Sequence, residues 1–146
     1  MATSKKAELQ GLVLRRVALG VAVTAIFVYV AWTYVPIPTP ASDDLTDRLV
    51  FTLRWLPISL IPMIIGINMV GRIRHDNMDV AGANTTSQKA ESLVRLAQRN
   101  LQNTLEQTAL HVPLMLVLST HLDADYLKLV PILICVFTLG RIVYYI

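Results

Sequence analysis

An uninterrupted apolar stretch of nineteen residues, 17–35, constrains this chain more than any other feature, because it holds no charged side chain. As an α-helix rising about 1.5 Å per residue, it crosses a hydrocarbon core of ~30 Å. Four basic residues precede it, Trp32 and Tyr34 stand at its far end, and prolines follow from Pro36. A cleavable signal peptide is the alternative, although its apolar region is usually only about 7–15 residues long. The stretch therefore predicts a membrane-spanning helix.

Three further apolar blocks follow, at about residues 49–70, 99–122 and 127–146. Apolar residues make up 54% of the chain and charged residues only 16%, and the mean hydropathy is +0.53, which is too apolar for a soluble domain. We predict an all-α integral membrane bundle with four transmembrane helices. Residues 1–48 form an N-terminal segment with the first helix. Residues 49–146 form a second domain that we expect to continue beyond Ile146, because the last block lacks a charged or polar flank.

The basic residues flank the apolar blocks and form no patch interleaved with aromatics, which favours a lipid bilayer over nucleic acid as the partner. Nine Lys and Arg residues precede the first block or lie between the second and third, against three on the other side. The positive-inside rule therefore places the N-terminus and residues 71–98 in the cytosol. A glycosylation triplet at Asn84 argues for the opposite orientation. The single Cys135 provides neither a disulfide framework nor a thiolate zinc site.

Polar residues open the third block, although its second half, residues 110–122, holds no Asp, Glu, Lys or Arg. Arg95, Arg99, Asn103 and Glu106 follow one another at spacings of four, four and three, which places them on one face of a helix. Ionisable groups at the membrane boundary are costly to expose to lipid, so we expect Glu106 to face the bundle interior.

The fourth block returns in the opposite direction and brings a second polar group to the same leaflet. This group comprises Arg141, Tyr144 and Tyr145. We expect Arg141 and Glu106 to approach each other or to share a polar partner. Two interpretations remain open: a structural ion pair between helices, or a binding site.

Residues 99–106, RNLQNTLE, resemble the signature Arg-x-x-x-Asn-x-x-Glu of the MAPEG family, the membrane-associated proteins in eicosanoid and glutathione metabolism. This family also has an Arg followed three residues later by Tyr at the end of its third helix, as Arg141 and Tyr144 are here. The resemblance covers about residues 49–146. It implies that residues 17–35 form an extra leading helix and that the last helix of the family's four-helix bundle is missing from this chain.

The resemblance also implies a ligand and an assembly. Glutathione-binding members hold the tripeptide with the arginine, asparagine and glutamate of the signature, which makes glutathione the candidate cofactor. They are trimers with the site between subunits, which implies a homotrimer or another membrane-protein partner, and a loop arginine reaches a neighbour's site in some members. The residues implied in binding are Arg99, Asn103, Glu106, Arg141, Tyr144, Arg72 and Arg74.

A closer likeness to the mattrin-like branch of this family lies in residues 116–122, LVLSTHL, and 127–131, LKLVP. That branch has an extra leading helix, no established glutathione chemistry and an association with membrane trafficking. Gln107 also replaces the aromatic residue that often follows the glutamate in the enzymes, and their thiol-activating arginine would lie beyond Ile146. We therefore expect a non-enzymatic, mattrin-like protein of an endoplasmic reticulum or Golgi-type endomembrane. The alternatives are a glutathione transferase or peroxidase acting on lipophilic substrates, and an accessory subunit of a larger membrane complex.

Overall fold

The computed structural model describes residues 2–78 and 88–145, and the side chains of residues 10–78 and 92–145. These residues form helices and contain no β-strand, which confirms the predicted all-α class. The glycosylation triplet at Asn84 and the last residue, Ile146, lie outside the described residues. The helices are α1 (Ala2–Tyr34), α2 (Leu45–Trp55), a 3-10 helix (Leu56–Leu60), α3 (Ile61–Asp76), α4 (Gln88–His121), a short 3-10 helix (Ala124–Tyr126) and α5 (Leu129–Tyr145).

The chain divides into two compact units, residues 1–37 and 38–146. The first unit is α1, whose large apolar side chains are almost all exposed, for example Leu14, Leu19 and Ile26. A helix of this length with apolar side chains exposed around it suits a hydrocarbon environment and not water. Its apolar part, Gln10–Tyr34, begins earlier than the predicted span because Leu12, Val13 and Leu14 precede the arginines.

Three helical stretches in the described part of the chain are long and apolar enough to cross a membrane: Gln10–Tyr34, Leu45–Asp76 and Ala124–Tyr145. The remaining predicted crossing, residues 99–122, lies in α4. This helix has 34 residues and is about 51 Å long, so its polar first half extends beyond a ~30 Å hydrocarbon core. Because of those polar turns, α4 contains no apolar stretch as long as those of the other three crossings.

Two prolines interrupt the second crossing without ending it. Pro57 and Pro62 each lie in the first turn of a new helical segment, where a missing N–H is tolerated. Between them the chain tightens into the 3-10 helix, and the Ile58 carbonyl accepts the N–H of Ile61. That carbonyl also accepts a hydrogen bond of 3.2 Å from the Thr138 hydroxyl of α5. Pro62 has no N–H with which to donate to the Ile58 carbonyl four residues earlier. The Thr138 hydroxyl of the neighbouring helix α5 supplies a donor in its place.

The second unit has its buried core at the end where α4 turns into α5. Leu127, Val130 and Ile134 are completely buried there, and Leu56 and Met115 pack against them. In lipid such contacts stabilise the bundle chiefly by close van der Waals packing, because the surrounding acyl chains are as apolar as leucine.

Hydrogen bonds join the start of α2 to the α4–α5 turn at this end. The Arg48 guanidinium donates to the Leu122 carbonyl at 2.7 Å, and the Asp43 carboxylate accepts the Ala124 N–H at 2.9 Å. These contacts anchor the turn at which the chain reverses from α4 into α5. The reversal brings the end of α5 back along α4.

Candidate polar site between α4 and α5

The signature residues of α4 and α5 meet through one hydrogen bond. The Arg141 guanidinium donates to the side-chain oxygen of Asn103 at 2.7 Å, and both side chains are half-buried. The two residues are 38 positions apart in the chain, so only the antiparallel pairing of the helices brings them together. This contact confirms the prediction that the end of α5 reaches the level of residues 99–106.

Tyr144 completes the α5 side of the α4–α5 cluster, which comprises Arg99, Asn103 and Glu106 of α4 and Arg141 and Tyr144 of α5. The Arg141 guanidinium carbon lies 5.3 Å from the centre of the Tyr144 ring, within the range of a cation–π interaction. The Tyr144 side chain is 46% exposed, so its phenol remains accessible. The Arg141 guanidinium thus contacts both the Asn103 amide of α4 and the Tyr144 ring of its own helix. These two contacts restrict its position.

Glu106 behaves differently from the prediction. It is exposed, and one of its carboxylate oxygens accepts a hydrogen bond of 3.0 Å from the Gln102 amide, four residues earlier on α4. No ion pair joins it to Arg141 among the described residues. The expectation that Glu106 faces the bundle interior is therefore wrong. An i,i+4 partner on the same helix satisfies the carboxylate without crossing to α5.

The rotation of α4 explains this outcome. Thr104, Thr108 and Met115 are buried against the other helices, and they occupy one side of α4. Arg99 and Glu106 lie on the other side, and Arg99 is exposed with no hydrogen bond or ion pair in the described part of the chain. Within one chain, the cluster therefore opens outwards, and only Asn103 and Arg141 are half-enclosed.

The resemblance implies that Arg72 and Arg74 correspond to the family's loop arginine, but both lie in the last turns of α3 and not in a loop. Arginine is a good helix former, and positive charge is favourable at a helix C-terminus, so α3 continues through them to Asp76. Arg72 is exposed and Arg74 half-buried. Among the described residues, no hydrogen bond or ion pair connects either of them to the α4–α5 cluster.

Sequence reasoning did not assign two features near this cluster. The Gln102 amide positions the Glu106 carboxylate, and its i,i+4 spacing was the signal that pointed to it. The Tyr145 hydroxyl is buried against Gly66 of α3 without a hydrogen-bond partner. No local pattern points to that contact, because it depends on how α3 and α5 pack.

The chain is similar in sequence to a transmembrane protein of two mammals. The chain is 27% identical to transmembrane protein 79 of Mus musculus over 135 residues, which are 90% of this chain and 34% of the relative. It is 26% identical to transmembrane protein 79 of Bos taurus over 117 residues, 80% of this chain and 29% of that protein. The chain thus spans about a third of the length of these relatives. No solved structure gives a significant match.

The match to a known family covers most of the second unit. The MAPEG family profile aligns with residues 52–146, about two thirds of the chain, and includes both halves of the α4–α5 cluster. An antiparallel helix pair that joins the Arg-x-x-x-Asn-x-x-Glu and Arg-x-x-Tyr motifs through Arg141 and Asn103 is consistent with that assignment. This integral membrane protein belongs to the MAPEG family.

Proposed function

We propose that this chain is a non-enzymatic, mattrin-like MAPEG protein that binds glutathione, or an amphipathic ligand of similar charge, at the cytosolic leaflet. The observation that carries the proposal is the 2.7 Å hydrogen bond between Arg141 and Asn103. It joins the two family motifs, so that the Arg141 guanidinium, the Asn103 amide and the Tyr144 ring lie together. Arg99 and Glu106 follow on the neighbouring turns of α4.

The charges of the cluster suit those of glutathione. The tripeptide has two carboxylates and one ammonium group, and a guanidinium binds a carboxylate through paired hydrogen bonds. Arg99 is exposed and unpaired within the described residues, so its guanidinium is available for a ligand carboxylate. The Glu106 carboxylate, oriented by Gln102, is the natural acceptor for the ammonium group. Arg141 and Tyr144 then border the ligand from α5.

Exposure of the cluster supports binding without catalysis. A thiolate forms readily only where nearby positive charge stabilises it at the sulfur, in a site shaped to hold the thiol. Of the two guanidinium groups, Arg141 is already bonded to Asn103, and Arg99 is exposed on the outer side of α4. The similarity to transmembrane protein 79 favours the same conclusion.

The open side of the cluster also supports an assembly. A charged helix face at the membrane boundary is costly to leave against lipid, and a second protein surface reduces that cost. We propose a homotrimer, or a complex with another membrane protein, in an endoplasmic reticulum or Golgi-type membrane. Arg72 and Arg74, near the end of α3, would then border a neighbouring subunit's site.

Two alternatives rest on specific features. The Arg99, Asn103 and Glu106 signature is retained, which favours a glutathione transferase or peroxidase acting on lipophilic electrophiles. The apolar side chains left exposed on α4, such as Leu110 and Leu114, can be covered by lipid or by another membrane protein, and the second case is an accessory subunit packed inside a larger membrane complex.

Calorimetry of the purified chain in detergent with glutathione tests the proposal. We expect saturable binding that Arg99→Ala weakens about 30-fold or more, because an arginine–carboxylate contact is lost. Arg16→Ala is the control, since Arg16 is an exposed arginine of the first unit. Absence of binding in the wild-type chain would leave only the structural and accessory-subunit interpretations.

A turnover assay distinguishes binding from catalysis. With glutathione and a chloronitrobenzene substrate, we expect no conjugation above the uncatalysed rate, even under conditions in which calorimetry shows the site to be occupied. Turnover that Arg99→Ala abolishes would show that the chain is a transferase and that the non-enzymatic proposal is wrong.

A further inference from the structure

A cleft lies at the start of the second crossing, at the opposite end of the second unit from the α4–α5 cluster. Its volume is about 350 Å³, and it lies between residues 38–41 and α2. On the α2 side it is lined by Asp47, Val50, Phe51 and Arg54. Along this one side of α2, an acidic side chain is followed by two apolar side chains and then by a basic one.

Arg54 is a charged side chain inside an apolar crossing, Leu45–Asp76. It is exposed and makes no hydrogen bond or ion pair in the described part of the chain. It follows Arg48, which is bonded to the α4–α5 turn, by six residues, or about 9 Å along the helix. A guanidinium at that depth extends back towards the polar headgroups, and helical side chains lean towards the N-terminus in the same direction.

Asp47 lies two turns earlier, in the first turn of α2. It is also exposed, and no ion pair connects it to Arg54 among the described residues. The two side chains are about 10 Å apart along the helix axis, with Val50 and Phe51 between them. The cleft therefore offers an acidic group nearer to water and a basic group nearer to the hydrocarbon, both free to bind a ligand.

We propose that this cleft binds the headgroup of a zwitterionic phospholipid, with its phosphate at Arg54 and its ammonium group at Asp47. In such a lipid the ammonium group lies outermost, the phosphate below it and the acyl chains deeper still, which is the order of the matching groups along this crossing. Beyond Arg54 the crossing exposes Leu60, Ile61 and Ile64, an apolar surface on which acyl chains can lie. A guanidinium binds phosphate oxygens through paired, charge-assisted hydrogen bonds.

Native mass spectrometry of the full chain, released from detergent with added lipid, tests the site. Phosphatidylethanolamine is the probe, and phosphatidylglycerol is the matched lipid with a phosphate but no ammonium group. We expect one tightly retained phosphatidylethanolamine, whose affinity Arg54→Gln lowers about tenfold or more. Arg54→Lys retains part of the binding, Asp47→Asn removes the preference over phosphatidylglycerol, and Arg16→Gln changes neither.

Free phosphoethanolamine is added as a competitor to identify the source of the headgroup. We expect no displacement of the lipid, because the acyl chains contribute to binding. Displacement at concentrations comparable to those of the lipid would overturn the lipid assignment in favour of a soluble phosphate ester. Retention of phosphatidylethanolamine by Arg54→Gln at wild-type strength would overturn the site. Equal binding of both lipids with no effect of Asp47→Asn would overturn the role of the carboxylate.

Discussion

Alanine at Gly66 should destabilise the bundle beside the α4–α5 cluster. Gly66 is buried in α3, and a methyl group there would first meet the Tyr145 hydroxyl. It would also lie 3.0 Å from the Leu101 Cδ1 atom of α4 and from the Tyr145 Cζ atom of α5. The substitution therefore has to displace a side chain on a neighbouring helix, and Tyr145 follows Arg141 by about one turn.

The matched variant Gly71→Ala separates this clash from the general effect of replacing glycine. Gly71 lies on the same helix, and a methyl group there meets nothing within 4 Å. Both substitutions gain about 0.5–1 kcal/mol from helix propensity, but overpacking at Gly66 costs about 1–3 kcal/mol. We therefore expect Gly66→Ala to be about 1–3 kcal/mol less stable than Gly71→Ala.

Tyr145→Phe should restore part of that loss. The Tyr145 hydroxyl is buried and has no hydrogen-bond partner, so its removal alone is expected to be nearly neutral or slightly stabilising. In the double variant with Gly66→Ala it removes the atom closest to the new methyl group, and we expect recovery of about half of the loss. A double-mutant cycle measures this coupling.

Thermal unfolding in detergent, followed with a maleimide that fluoresces on reaction with Cys135, measures the wild-type chain and the four variants. Cys135 is the single cysteine of the chain and is half-buried in α5, so its reaction reports the opening of the bundle. A difference of 1–3 kcal/mol should shift the midpoint by about 2–12 °C. Equal midpoints for Gly66→Ala and Gly71→Ala, or no rescue by Tyr145→Phe, would refute the close packing of α3 against α5.

Three further predictions concern other contacts. Thr138→Val should lower the free energy of unfolding by about 0.5–1.5 kcal/mol in the same thermal assay, because the Ile58 carbonyl loses one of its two donors. Arg48→Met should cost about 1–3 kcal/mol, because it leaves the Leu122 carbonyl without its charged donor, and an unchanged midpoint would contradict the link between α2 and the α4–α5 turn. Cysteines placed at Lys5 and Lys89 should react only with reagents on the cytosolic side, and a glycan on Asn84 would reverse the predicted topology.

The sequence predicts the membrane class, the all-α fold and the family. Long runs without charge, such as residues 17–35, admit few structures other than a helix in lipid, since every backbone polar group must be satisfied within the segment. The one-sided spacing of Arg99, Asn103 and Glu106 is also a local property, because 3.6 residues per turn determines which side chains share a face. The return of the end of α5 to the level of residues 99–106 was predictable because a short connection makes α4 and α5 antiparallel.

The rotation of α4, and the partners that follow from it, were decided only by the tertiary structure. Glu106 and Asn103 both match the family pattern. Glu106 nevertheless accepts a hydrogen bond from Gln102, and Arg141 donates to Asn103. Burial of Thr104 and Thr108 against the neighbouring helices turns Arg99 and Glu106 outwards. The contact of Tyr145 with Gly66, and of Thr138 with Ile58, depends in the same way on how helices distant in sequence fit together. Periodicity defines a helix face, but packing against other helices decides what that face meets.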